Sequence, residues 1–272
     1  MRKHLSTILL VFVLLAGLSL LLYPTLSDYW NSFHQSRAIA TYSERLSDMD
    51  TVSYEHIWEA ARAYNETLID NPTRYKMTDE QKVEYNALLN VAGNGVMGYI
   101  EIPSLDCRLP VYHGTEEAVL QVAIGHIEGT SLPTGGAGTH CVVSGHRGLP
   151  SAKLFTNLDQ MSMGDTFMLH ILDETLTYEV DQIVIVEPHD VSPLEIDPLE
   201  DFCTLVTCTP YGINSHRLLV RGYRVETIEE AAPVRVENDA EMINEWLVAG
   251  CIAAPVLLLL LIVFLIRTRK KR

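Results

Sequence analysis

The 272-residue chain is short of basic charge: Lys+Arg number 20 against 35 Asp+Glu, a formal net charge of −15. That deficit excludes a general nucleic-acid binder, which needs a basic surface to displace counterions from phosphates. Aromatic residues are sparse at 8%, and 12 Pro with 16 Gly are too few for a collagen-like or low-complexity chain. The 5 cysteines are odd in number and irregular in spacing, so no disulfide framework is indicated. None forms a Cys-x-x-Cys pair, which removes the usual zinc signature. No internal repeat is visible. What the chain does have is apolar residues, 47% of the total, too many for a disordered protein.

Charge is missing altogether from two long stretches. Leu5 to Tyr23 and Leu247 to Ile266 hold no charged residue, and each approaches the roughly 20 apolar residues that a bilayer-spanning helix needs. Arg2 and Lys3 flank the first on its outer side; Arg267, Arg269, Lys270, Lys271 and Arg272 flank the second. The positive-inside rule then predicts both termini in the cytoplasm and the segment between them outside. The first stretch reads as an uncleaved anchor, because no small-x-small cleavage site follows it. The tail alone is similar to a cell-wall sorting signal, but Val234 to Trp246 lacks the Leu-Pro-x-Thr-Gly element such a signal needs. Leu132-Pro133-Thr134-Gly135 lies far too early and reads as a turn. Removing the two and five basic residues of the ends from 20 leaves 13 Lys+Arg against 35 Asp+Glu, so the middle carries −22.

The chain divides into a cytoplasmic N-terminus and anchor (1–26), a helical region (27–92), a β-rich domain (93–226), an acidic linker (227–246), and a second apolar helix with a basic tail (247–272). In the helical region Tyr54, Ile57, Trp58, Ala61, Tyr64 and Leu68 form one apolar stripe. Asp70-Asn71-Pro72 is expected to stop that helix. Thr78-Asp79-Glu80-Gln81 reads as the capping box of the next. From Gly93 on, runs rich in Val, Ile, Thr and Tyr are broken by Gly, Pro and Asn. Met97–Ile102, His140–Ser144, Thr166–Leu172, Thr175–Val186, Cys203–Cys208 and Arg217–Val225 are the expected strands of an all-β barrel or sandwich. Leu120–His126 and Ala152–Met161 are expected as short helices set into it.

A cysteine inside a strand is by default a small buried hydrophobe, and Cys107, Cys141 and Cys203 read that way. Cys208 differs, because it ends the run Thr204-Leu205-Val206-Thr207-Cys208 just before a turn, Thr209-Pro210-Tyr211-Gly212. A hairpin there would return Arg217 alongside Cys208, and a cation beside a thiol favours thiolate or holds an oxyanion. Thiol attack also needs a proton acceptor, and the leaving amine a donor. Among 10 His, His146 in Ser144-Gly145-His146-Arg147-Gly148 again ends a strand at a glycine-rich turn. His140 and Arg147 flank this region but suit a β-edge surface at least as well; Arg221 is a second candidate cation on the face of Arg217. His126, His170 and His189 read as structural or exposed.

At these residues the sequence resembles a sortase. TLVTCTPYGINSHRLLVRG (Thr204 to Gly222) is similar to that family's Thr-Leu-x-Thr-Cys signature with its Arg, and VVSGHRGLPSAKLF (Val142 to Phe155) to the region around its His. The match is closer to the pilin-polymerising class C than to the housekeeping class, and covers roughly Val96 to Val225. The resemblance implies a mainly β fold: an eight-stranded sortase-type barrel with short helices, a helical N-terminal region and two flanking transmembrane helices. It implies Cys208 as nucleophile, His146 as general acid/base or imidazolium partner, Arg217 at the substrate carbonyl, and no metal or organic cofactor. The implied partners are pilin or surface-protein substrates with a C-terminal sorting signal, met on the outer face of a Gram-positive membrane. Many class C enzymes carry a lid with Asp-Pro-aromatic. Here the corresponding region holds Asp70, Asn71, Pro72 and Tyr75, with Asp not adjacent to Pro and no aromatic directly after it. Two other readings share the Cys/His chemistry, a sortase attaching proteins to the wall and a membrane-held peptidase that hydrolyses; an anchored adhesin without catalysis is the third.

Overall fold

A computed structural model describes residues 5–227 and, beyond them, only positions 255, 258, 259 and 262. Apart from those four positions, the expected second membrane helix, Leu247 to Ile266, and all but the first residue of the acidic linker therefore lie outside the described residues. The chain forms two units, Thr25–Pro233 and Met1–Pro24 with Val234–Arg272. In the smaller unit, residues 5–24 open helix α1 (Leu5–Ser47), and Phe12, Leu20 and Leu21 there are exposed. Among the described residues this helix alone is long and apolar enough to cross a membrane.

In the larger unit, α2 (Thr51–Glu66) and α3 (Asp79–Ala87) precede the strands. The apolar stripe of α2 buries Trp58, Ala61, Tyr64 and Leu68, with Tyr54 and Ile57 partly covered. Full burial of an aromatic or branched side chain stabilises by roughly 1.5–3 kcal/mol, so this stripe fixes the helix on the barrel. Asn65 adds specificity: its amide donates to the Leu132 carbonyl and Thr134 Oγ1 and its oxygen accepts from Leu132 N–H. The Leu132–Gly135 segment is thus a buried turn. At α3, Thr78 and Gln81 form the reciprocal capping box.

Eight strands close into a barrel: β1 (Val96–Ile102), β2 (Cys107–His113), β3 (Ile124–His126), β4 (Thr139–Ser144), β5 (Thr166–Ile171), β6 (Glu174–Val186), β7 (Asp201–Thr209) and β8 (His216–Val225). Their order around the wall is β1-β2-β3-β4-β7-β8-β6-β5. Closure leaves no sheet edge. Alternation sorts the side chains: Cys141 and Val143 of β4, Cys203 and Leu205 of β7, and Leu218 and Val220 of β8 join the interior core. Val142, Val206 and Leu219 form a separate cluster on the outside.

Three expectations are corrected. α2 stops at Glu66 rather than at Asp70-Asn71-Pro72; turns follow, with Asp70 at φ 57°. Leu120–His126 is not a helix, because helix α4 (Glu117–Leu120) ends there and β3 follows. Ala152–Met161 contains only a 3-10 turn at Leu158–Gln160. Strand β2 was not foreseen either: Arg108 and Pro110 interrupt its apolar run. Pro110 lies just before the stretch, Val111–His113, that pairs with β3, so its missing N–H costs no ladder bond there.

Candidate active site

The site is built where β4, β7 and β8 end together. β7 and β8 form the expected hairpin, with Cys208 paired directly to Arg217. Directly opposed residues share a face and hold their Cβ atoms about 4.5–5.5 Å apart. Cys208 has the same parity as Val206, and Arg217 as Leu219, so both lie on the outer face. β4 runs parallel to β7 with Ser144 beside Val206. Beyond that pair the chains stay joined: Gly145 N–H donates to the Val206 carbonyl at 3.0 Å, and Thr207 Oγ1 donates to the Gly145 carbonyl at 2.8 Å. His146 follows Gly145 directly, at the same end of the barrel wall as Cys208.

Local sequence explains the fit. A Cβ at Gly145 would stand 2.8 Å from Ile124 Cγ2 and Phe155 Cδ2, so only glycine lets the chain pass there. The His146 carbonyl then accepts from Phe155 N–H at 3.2 Å, and the Phe155 ring is buried. Cys208 and His146 are each half-buried, reachable but not awash. Arg217 Nη1 donates to the carbonyls of Asn214 and His216 at 3.3 and 3.1 Å. Among the described residues none of the ion pairs involves Arg217, which leaves its charge for the groove. Arg221 shares the outer face two rows away, but Asp181 holds it with two hydrogen bonds of 3.1 and 2.6 Å.

Sequence reasoning undervalued two neighbours. Arg147 is not an edge residue: its side chain is 10% exposed, paired with Asp159, and its Nη1 lies 3.5 Å from Thr209 Oγ1, next to Cys208. His140 is 1% exposed on a central strand. Burial lowers its pKa to about 4, with a smaller contribution from Arg221 and Arg74. The signal for Arg147 was its place directly after His146; nothing local marked His140.

The segment Asp70, Asn71, Pro72 and Tyr75 is seated against the β6–β7 connection. Arg74 Nη2 donates to the Leu194 carbonyl at 3.1 Å, and a Cβ on Gly129 would collide with the Arg74 carbonyl. Asp70, Asn71, Pro72, Arg74 and Tyr75 face Val191, Glu195 and Ile196 across a cavity of ≈ 410 Å³. Two of the other cysteines, Cys107 and Cys203, are chemically quiet. Burial pushes the Cys107 thiol up to about 12, and burial likewise raises that of Cys203. Among the described residues no cluster of His, Cys, Asp or Glu could hold a metal ion.

A thiol, an imidazole and a guanidinium at the ends of three adjoining strands of a closed barrel are the groups that acyl transfer through a cysteine needs. Residues 100–225 match the family described as Sortase domain. Sortase C1 from Streptococcus agalactiae is 48% identical, with a TM-score of 0.67 over 71% of this chain and 100% of that one. Sortase C from Streptococcus pneumoniae is 48% identical, with a TM-score of 0.64 over 70% and 97%. Sortase D from Bacillus subtilis (strain 168) is 26% identical over 184 residues, 66% of this chain and 88% of that protein. The chain belongs to the sortase family and is a cysteine transpeptidase.

Proposed function

We propose that this sortase cleaves a Leu-Pro-x-Thr-Gly-like sorting signal and joins pilin subunits through an isopeptide bond. The observation that carries the reading is the register that pairs Cys208 with Arg217, together with the bonds that join Gly145, directly before His146, to Val206 and Thr207 of the same strand. Cys208 Sγ attacks the Thr carbonyl, and the Arg217 guanidinium holds the oxyanion. The Thr–Gly amide bond breaks, and His146 delivers the proton to the departing amine. A Lys amine of the next subunit attacks the thioester; a C–N bond forms, the C–S bond breaks and the thiol is restored. The similarity to the S. pneumoniae sortase C, whose structure bears on pilin substrate specificity, favours pilins over wall anchoring. The apolar start of α1 supports attachment to the membrane with the barrel outside.

The test is co-expression with a pilin carrying a sorting signal. High-mass, SDS-resistant ladders should form with the native enzyme and vanish with Cys208→Ala; ladders persisting in that variant refute the nucleophile, and cleavage without ladders marks a hydrolase. We also read residues 70–76 as a lid. Replacing Asp70, Asn71, Pro72 and Tyr75 with Ala, which leaves Arg74 and its bond to Leu194 in place, should raise turnover of a sorting-signal peptide several-fold, since a closed lid taxes binding by the open fraction; unchanged turnover ends that reading.

A further inference from the structure

The connection between β6 and β7, residues 187–200, is exposed along most of its length. Leu194 is its buried residue, in the 3-10 turn Ser192–Leu194. Its side chain packs on Val142, Val206 and Leu219, outer-face residues in the two rows preceding Cys208 and Arg217. A peptide reaching Cys208 along that face therefore passes under or beside this segment. Two hydrogen bonds hold its Leu194–Glu195 stretch, and they act on adjacent carbonyls. Arg74 donates to Leu194 at 3.1 Å. His140 Nδ1 lies 2.8 Å from the Glu195 oxygen. A carbonyl can only accept, so Nδ1 carries the proton. Nε2 is then the acceptor, and Thr204 Oγ1 on β7 donates to it at 2.7 Å. The ring is thus oriented from one strand and aimed at the loop from another.

We propose that His140 is a positioning residue, which holds the β6–β7 segment at the height that lets Leu194 roof the apolar approach to Cys208, and so sets affinity for the donor peptide. The proposal rests on the reading of Cys208 as nucleophile toward a sorting signal. It assigns His140 a use of its N–H donor, distinct from filling space. His140→Phe keeps a buried ring and loses the donor; His140→Asn places an amide N–H near the position of Nδ1.

The experiment uses the full-length protein in detergent micelles, with hydrogen exchange over residues 190–197 and steady-state cleavage of a fluorogenic Leu-Pro-x-Thr-Gly peptide. In His140→Phe, exchange should quicken and KM rise by about tenfold, the size of one lost buried hydrogen bond, with kcat held within about twofold. His140→Asn should recover both. Unchanged exchange, unchanged KM, or an equal defect in the Asn variant overturns the proposal. Should His140→Phe fail to fold, Thr204→Val removes the hydroxyl that sets the ring; faster exchange in the same segment supports the latch and unchanged exchange rejects it. If native enzyme leaves the peptide intact while iodoacetamide still labels Cys208, the donor reading has failed, and exchange alone decides whether His140 holds the segment.

Discussion

Strand β7 carries two cysteines five residues apart, and the odd spacing sends them to opposite faces of the barrel wall. Cys203 points inward, pairs in register with Cys141 of β4, and is fully buried. Cys208 points outward and pairs with Arg217 of β8. Both thiols lie on the same strand between the same two neighbours, so strand, sheet and residue type cannot explain the difference between them. Parity and the strand end do: inside, desolvation disfavours the thiolate; outside, a cation is paired in register.

The strongest way to break this comparison is to take the cation away. Arg217→Ala should cut kcat for peptide cleavage about 100–1,000-fold, the usual cost of losing one oxyanion donor, with KM moving less. Arg217→Lys should recover only part, because an ammonium cannot reproduce the planar fork. Single-turnover formation of the thioacyl enzyme isolates the step. A full-rate Arg217→Ala enzyme would make the outer face no more catalytic than the inner one.

Much of this contrast was legible in the sequence, and the limits have physical causes. The β7–β8 hairpin is local: alternation and the Thr209–Gly212 turn are enough to return Arg217 to Cys208. The parallel pairing of β4 with β7 has no local signal, because β5 and β6 intervene, so His146 could be suspected from its glycine-rich turn but not placed. β3 has three residues and is too short for a period to show. Phe155 and Leu158 imitate helical spacing, yet their burial comes from joining the barrel core without a helix to carry them. His140 was misjudged because its partner is a carbonyl 55 residues on, and backbone groups leave no trace in composition.

A smaller effect sharpens the outer-face side of the comparison. His140 is titratable but held neutral: burial brings its pKa from 6.5 to about 4 against the hydrogen bond to the Glu195 carbonyl, with Arg221 and Arg74 acting with burial and Asp181 against it. The unfolded chain takes up this proton near pH 6.5 and the folded one only near 4. Between those values the unfolded state binds more protons, so stability falls as pH drops through the window. The loss is about 3 kcal/mol in the limit. His113 is also shifted down by burial and adds in the same direction. Urea unfolding at pH 7 and pH 4.5 should show native protein losing more stability than His140→Asn, which has no such proton to gain; equal losses would assign the acid sensitivity elsewhere.

The smallest expected effect tests the inner face alone. Cys203→Ala removes one sulfur atom from a tightly packed interior and should cost about 1 kcal/mol of stability, near the lower end of large-to-small core changes. Its thiol takes no part in the proposed chemistry, so kcat and KM for the peptide should remain within about twofold of native. Iodoacetamide at neutral pH should mark Cys208 first, since Cys203 is buried with its pKa raised and the Cys107 thiol is pushed to about 12. The instructive failure is a Cys203→Ala enzyme that folds, keeps its urea midpoint within the expected loss, and yet has no turnover. That result would mean the Cys141–Cys203 contact transmits five residues along β4 and β7 to His146 and Cys208, and that the two faces of β7 are coupled through the backbone they share.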